Sequence, residues 1–159
     1  KSKKDSDHKQ VQQIIDIISE IRSFKNELNV SPGSFIDISI NSIKKNNQNF
    51  MINNEIIIKK LGRINNFFKK DQNKPAASLI ISGDLFKIYF DENVDLNAIK
   101  ENLLKRQNKY QEEMDKISQR LSNKGFVQRA PKDIVQQEKT NYSNLKNDIK
   151  KISLTIESL

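Results

Sequence analysis

The chain has no cysteine and no tryptophan, a single histidine, three prolines and four glycines among its 159 residues. Without cysteine there is no disulfide, no thiolate zinc site and no cysteine nucleophile, a composition that fits a reducing compartment and makes a cytoplasmic location the expectation. The one histidine, His8, sits in the polar stretch KSKKDSDHK and has no companions at the spacing a metal site or a Ser-His-Asp arrangement requires. No apolar run approaches the roughly 20 residues of a membrane span. No signal peptide and no glycine-rich phosphate loop is recognisable. The chain starts at Lys1 without a methionine, which points to a piece of a longer protein. Catalysis, metal binding and membrane insertion therefore find little support in the residues.

What is abundant is charge, mostly positive. Charged residues make up 30%, the net charge is +8, the pI is about 9.6 and the mean hydropathy is -0.72. Such an excess favours a polyanion, nucleic acid first. Lysine, isoleucine and asparagine are frequent throughout, as in proteins from AT-rich genomes, so arginine is the cleaner signal. The five arginines are Arg22, Arg63, Arg106, Arg120 and Arg129, three of them between residues 106 and 129. The guanidinium fork grips phosphate in a way lysine does not.

Periodicity divides the chain into 1–30, 31–94 and 95–159. Residues 1–9 read as a frayed polar end. Val11, Ile14, Ile15, Ile18, Ile21 and Leu28 then fall at helical spacing, with Arg22 and Lys25 on a neighbouring face, and the helix ends near Asn29 before Ser31-Pro32-Gly33. The alternation in FIDISIN, residues 35–41, predicts a half-buried strand with Ile36, Ile38 and Ile40 on one side. Residues 46–61 return to a helix with Phe50, Ile57 and Leu61 on its stripe, ended by Gly62. A strand at 63–68, a loop from Asp71 to Pro75 and a hairpin turning on Gly83-Asp84 complete a small β-α-β-β-β unit.

From Asp95 onward the pattern is heptad-like. Leu96, Ile99, Leu103, Tyr110, Met114, Ile117 and Leu121 form a seam with Arg106 at one of its positions. After Pro131 the seam resumes as Val135, Tyr142, Ile149 and Ile156, with Leu145, Ile152 and Leu159 in a second row. Two such segments joined by about ten residues predict an antiparallel coiled-coil hairpin, and the fold class is α+β. Arg106 on the seam has two readings: its stem packs along the partner helix, or its guanidinium meets phosphate. Glu112, Glu113 and Asp115 read as a solvated acidic face.

The break between the two helices, QRLSNKGFVQRAPKD, carries Lys116, Arg120, Lys124, Arg129 and Lys132 with no acid from 116 to 132. Gly125 is read as the left-handed residue of the turn and Pro131 as the first turn of the next helix. Phe126 and Val127 either plug the end of the seam or, for Phe126, stack on an exposed base.

Leu121-Ser122-Asn123, Phe126-Val127, Ala130-Pro131, Ile134-Val135 and Glu138 stand at the spacing LSN-x-x-FV-x-x-AP-x-x-hV-x-x-E, h being apolar, and this turn resembles that of the C-terminal coiled coil of the bacterial valyl-tRNA synthetase family. Ile21-Arg22, Lys25, Glu27 and Pro32 are similar to the segment that closes the family's anticodon-binding bundle, with Lys25 where a second arginine is usual. The resemblance implies a non-catalytic, monomeric tRNA-binding appendix whose arm meets the outer corner of the tRNA, with Lys116, Arg120, Lys124, Phe126, Arg129, Lys132, Arg106, Lys109, Arg22 and Lys25 as candidate RNA contacts. ATP and the valine-specific tRNA would belong to the longer enzyme. The HIGH-like and KMSKS-like motifs of a class I synthetase are absent, so this chain should not aminoacylate alone. A reading of another class is a coiled-coil module that joins two proteins and ignores RNA.

Overall fold

The computed structural model describes residues 3–159. The chain divides into two compact units, Asn97–Glu157 and the remainder. Segments 1–30 and 31–94, distinguished in the sequence, fall in one unit. This unit contains α1 (Lys3–Glu27), β1 (Ile36–Ser39), α2 (Lys45–Asn53), α3 (Glu55–Gly62), β2 (Ile64–Phe68), β3 (Ala77–Ile81) and β4 (Asp84–Phe90).

Helix α1 begins at Lys3, so residues 3–9 are helical rather than frayed; positions 1 and 2 lie outside the described residues. No glycine or proline interrupts the stretch, and Asp5 lies in the first turn, where its charge favours the helix dipole. The buried stripe is Ile14, Ile17, Ile18, Ile21, Phe24 and Lys25, continued by Leu28. Val11 and Ile15, assigned to the stripe from spacing, are 56% and 50% exposed. The helix ends where Asn29 takes a φ of 55°.

The four strands form one sheet in the order β2-β1-β4-β3, with β1 and β2 parallel and the other neighbours antiparallel. Ile36, Ile38, Phe86 and Ile88 share the buried face, as the alternation of FIDISIN requires. Phe24 stacks on Phe90 with ring centroids 6.3 Å apart. Helix α1 packs on α3 and against β3. The opposite face is closed by the loop after β2. Asp71 accepts hydrogen bonds from Ser39 at 2.7 Å and Lys87 at 2.6 Å, and the Tyr89 hydroxyl accepts from the Gln72 amide at 2.8 Å. The Lys87 and Ser39 hydrogen bonds hold the Asp71 carboxyl below its ordinary pKa, and the bond to Asp71 raises that of Lys87.

Three local expectations are corrected. The helix read over 46–61 is two helices, broken at Asn54, whose side-chain amide donates to the Phe50 carbonyl at 2.9 Å alongside its own backbone amide. The stripe runs through Met51 and Ile58, 1% and 0% exposed, while Ile57 and Leu61 are 45% and 43% exposed. Gly62 ends α3 as expected, with the positive φ of 53° on Arg63 after it, and Gly62 is where α3 crowds α1, since a Cβ there would lie 2.9 Å from Ile64 Cδ1 and 3.3 Å from Ile18 Cδ1. The β3–β4 turn is made by Ser82 and Gly83, with φ of 51° and 81°. Asp84 is already in the ladder opposite Ile81, buried, and accepts from the Lys44 amide and the Asn47 side chain at the start of α2.

The second unit is a helical hairpin of α4 (Leu96–Ser122) and α6 (Lys132–Ser158), with α5 (Lys124–Arg129) between them. Each long helix has 27 residues, about 40 Å at 1.5 Å per residue. Gln107 Nε2 donates to Ser153 Oγ at 2.6 Å, and Arg120 meets Glu138 at 2.9 Å. Numbers rise on one helix as they fall on the other, so the pair is antiparallel. Ile99, Leu103, Met114, Ile117, Val135 and Ile152 are buried, whereas Arg106, Tyr110 and Leu121 are half-buried.

Replacing Ile58 with Ala should cost about 2–5 kcal/mol of stability, and Ile57→Ala about 0.5 kcal/mol or less. Denaturant unfolding of the two variants checks this; equal losses would return the stripe to Ile57 and Leu61.

Candidate nucleic-acid interface

The tip of the hairpin is built by short-range hydrogen bonding. Helix α4 stops at Ser122, and the Asn123 side chain accepts from the amides of Gly125 at 3.0 Å and Phe126 at 3.2 Å, which starts α5. Gly125 is thus helical rather than left-handed. A Cβ there would sit 3.2 Å from the Asn123 oxygen, so glycine leaves room for the cap. Ala130 is extended, with ψ 147°, as the residue before a proline must be. The Pro131 carbonyl accepts from the Val135 amide and launches α6.

On this frame Lys116, Arg120, Lys124, Arg129 and Lys132 are all exposed, and Lys109 is exposed farther back on α4. Arg106 and Phe126 are half-buried and Val127 is 40% exposed; α5 buries none of its side chains fully. Lys116, Gln119, Arg120 and Asn123 line one open depression on α4. The acid nearest in space comes from the opposite helix: Glu138 Oε2 lies 2.9 Å from Arg120 Nη2. The Glu138 side chain is 16% exposed and that of Arg120 53%. Oε2 itself is buried and has no donor aimed along its lone pairs, so the contact is an ion pair rather than a directed hydrogen bond. Sequence spacing did not single out this pair; the antiparallel register was needed to place residue 120 across from 138.

Two candidate contacts lie in the other unit and are spent internally. Lys25 is 2% exposed, and its ammonium donates to the carbonyls of Ser34 at 2.7 Å and Gly62 at 3.3 Å. Arg22 donates to the Leu61 carbonyl at 3.3 Å. Both close the carbonyl end of α3, where the helix dipole favours cations. The reading of Lys25 as an RNA contact is corrected by this burial; its place in the row Ile21, Lys25, Leu28 was the legible signal. Burial first, then Arg63 and Arg22 nearby, lowers the Lys25 pKa from 10.5 to about 8. Arg63 was not among the candidates; its guanidinium lies 5.5 Å from the centre of the Phe35 ring.

A concavity of the first unit is lined by Asp16, Asp84, Asn47 and apolar side chains, and its two carboxylates disfavour a phosphate there. Among the described residues no group of His, Cys, Asp and Glu could hold a metal ion, and no helix is long and apolar enough to cross a membrane.

Residues 95–159 match the family model described as the valyl tRNA synthetase tRNA binding arm. A valine–tRNA ligase of Pelagibacter ubique is 68% identical over 156 residues, 98% of this chain and 18% of the relative. Those of Bartonella quintana and Aquifex aeolicus are 29% and 24% identical, over 92% and 98% of this chain and 16% and 13% of their own lengths. The chain therefore spans less than a fifth of the curated relatives it matches.

The buried ammonium yields a pH test. Between pH 8 and 10.5 Lys25 is largely neutral in the folded state and charged in the unfolded one. The unfolded state then binds more protons, so stability rises with pH across that window. The stability difference between the native chain and Lys25→Met should shift in favour of the native chain from pH 8 to 10.5. A difference that is flat, or shifts the other way, in denaturant titrations would mean the ammonium is not desolvated.

Proposed function

The chain belongs to the valyl-tRNA synthetase family, and from that premise we propose that its helical hairpin is a non-catalytic tRNA-binding arm that leans on the outer corner of the L-shaped tRNA, where the D and T loops meet. The observation that carries this reading is the basic run from 116 to 132, which holds no acid of its own, Glu138 of α6 reaching Arg120 from across the hairpin. Five exposed cations lie between residues 116 and 132, at the end of α4, on α5 and at the start of α6. The rest of the arm mixes both signs.

A tip of this kind binds phosphate and shape rather than base sequence. Its donors are ammonium and guanidinium groups on rigid helices, and it offers no array of acceptors for base edges. The half-buried Phe126 ring adds an apolar surface against which an unstacked base of the tRNA corner packs. In the longer enzyme, which is cytoplasmic and acts as a monomer, ATP-dependent charging of the valine-specific tRNA is the work of other domains. The arm contributes binding energy and orients the tRNA. Arg22, exposed but bonded to the Leu61 carbonyl, is a secondary contact. The rival reading, a module that pairs with another protein, has less behind it because the heptad rows that would form such a contact bury Met114, Ile117, Val135 and Ile152 within the chain.

The test is a salt titration of this chain with unmodified folded tRNA and with duplex RNA of equal charge. Folded tRNA should be preferred near physiological salt. Replacing Arg120, Lys124 and Arg129 with Glu should weaken tRNA binding at least tenfold and flatten the log–log salt slope by about 2–3, at about 0.7–0.9 per lost phosphate contact. Equal binding of both RNAs would reduce the arm to a source of charge. A stable dimer in light scattering that ignores RNA would establish the rival.

A further inference from the structure

The depression on α4 has an uneven chemistry. Asn123 has committed its side-chain oxygen to the amides of Gly125 and Phe126, so what it has left to offer is its NH2 group. Lys116 and Arg120 are donors only. Gln119 is the one lining residue with a side-chain acceptor to spare. Arg120 does not hang loose in this setting. Its Nη2 is drawn to a carboxylate oxygen on the opposite helix, and that carboxylate is mostly buried while the guanidinium is half out in solvent. A long side chain is thereby tethered through one nitrogen while half of its surface stays in solvent.

Resting on the reading above, we propose that Lys116, Arg120 and Asn123 form a site for a single backbone phosphate of the RNA, and that Glu138 is the positioning residue that presets Arg120 for it. A free arginine loses rotamer entropy when it grips a phosphate; one already paired with a shielded carboxylate loses less. The carboxylate also reduces the net positive charge of the tip by one. It therefore favours an anion that fits the site over one attracted only by long-range field. The buried Oε2, with no donor along its lone pairs, fits this role: it is placed to hold a cation and not to close a neutral network.

The two effects of Glu138 have opposite signs on two RNAs, which makes them separable. In this chain, Glu138→Gln keeps shape and removes charge. Expected is a fivefold or so loss of affinity for folded tRNA, with affinity for a duplex RNA of equal charge unchanged or higher. In an Arg120→Ala background, Glu138→Gln should leave tRNA affinity unchanged, and the circular-dichroism melt of the Glu138→Gln chain should match the native one. If Glu138→Gln raises affinity for tRNA and duplex alike, Glu138 acts only as a competing charge and the positioning role is wrong. A loss of equal size with and without Arg120 also overturns it. Should Arg120→Ala itself leave tRNA affinity untouched, the tip reading fails first. If Arg120→Ala weakens binding and Glu138→Gln does not, the tip reading stands and only the positioning role falls.

Discussion

The hairpin depends on the antiparallel register of two helices whose shared seam is thin. Along α4 only Ile99, Leu103, Met114 and Ile117 are buried, and along α6 Val135, Ile152 and Thr155. A narrow apolar stripe specifies that two helices associate but leaves a slip along the axis cheap, because one aliphatic contact replaces another. Specific polar pairs resist such a slip. Gln107 on Ser153 and Arg120 on Glu138 sit at separated levels of the rod, and a shift of one turn would break both. Neither contact contributes much stability, being partly exposed. What they fix is which residues end up together at the turn.

That turn concentrates like charges, which is costly unless the backbone is held by something other than the charged side chains. The Asn123 cap, the helical Gly125 and the extended Ala130 before Pro131 set the path of the chain with main-chain and amide hydrogen bonds alone. The lysines and arginines are then free of structural duty, Arg120 excepted. The opposite economy rules at the end of α3. There Arg22 and Lys25 close carbonyls that the helix leaves open, and Lys25 gives up water to do so. Positive charge in the sequence thus serves two ends, and burial tells them apart.

Element types were largely legible in the sequence because they rest on period. The alternation of FIDISIN put Ile36, Ile38 and Ile40 on one side, and all three are 1% exposed. Phase within a helix was less legible. Val11 and Ile15 are as apolar as Ile14 and Ile18, so spacing alone could not say which diagonal faces the sheet, and the same ambiguity moved the α3 stripe from Ile58 to Ile57. An isoleucine-rich composition removes the contrast between faces on which phase assignment depends. The break at Asn54 was missed for another reason: asparagine competes with the helix through its own side chain, a local event without periodic trace. Glycine misled at the tip: Gly125 was read as left-handed, but it is helical and matters because a Cβ would crowd the Asn123 oxygen. Gly62 does end α3, with the positive φ falling on Arg63 after it.

At the tip the residue types were legible and their relations were not. Five cations without an acid between 116 and 132 can be counted in the sequence. That Glu138 reaches back to Arg120 cannot, since the seventeen intervening residues say nothing until α4 and α6 are laid antiparallel. The pairing changes what the cluster is. Five mobile cations would attract any polyanion with a strength set by salt. On the proposal above, one arginine paired with a shielded carboxylate, beside an amide whose oxygen is already spent, offers its donors in a narrower range of arrangements than a free side chain does. Selectivity among polyanions would then depend on how the charges of the tip are held as well as on how many there are.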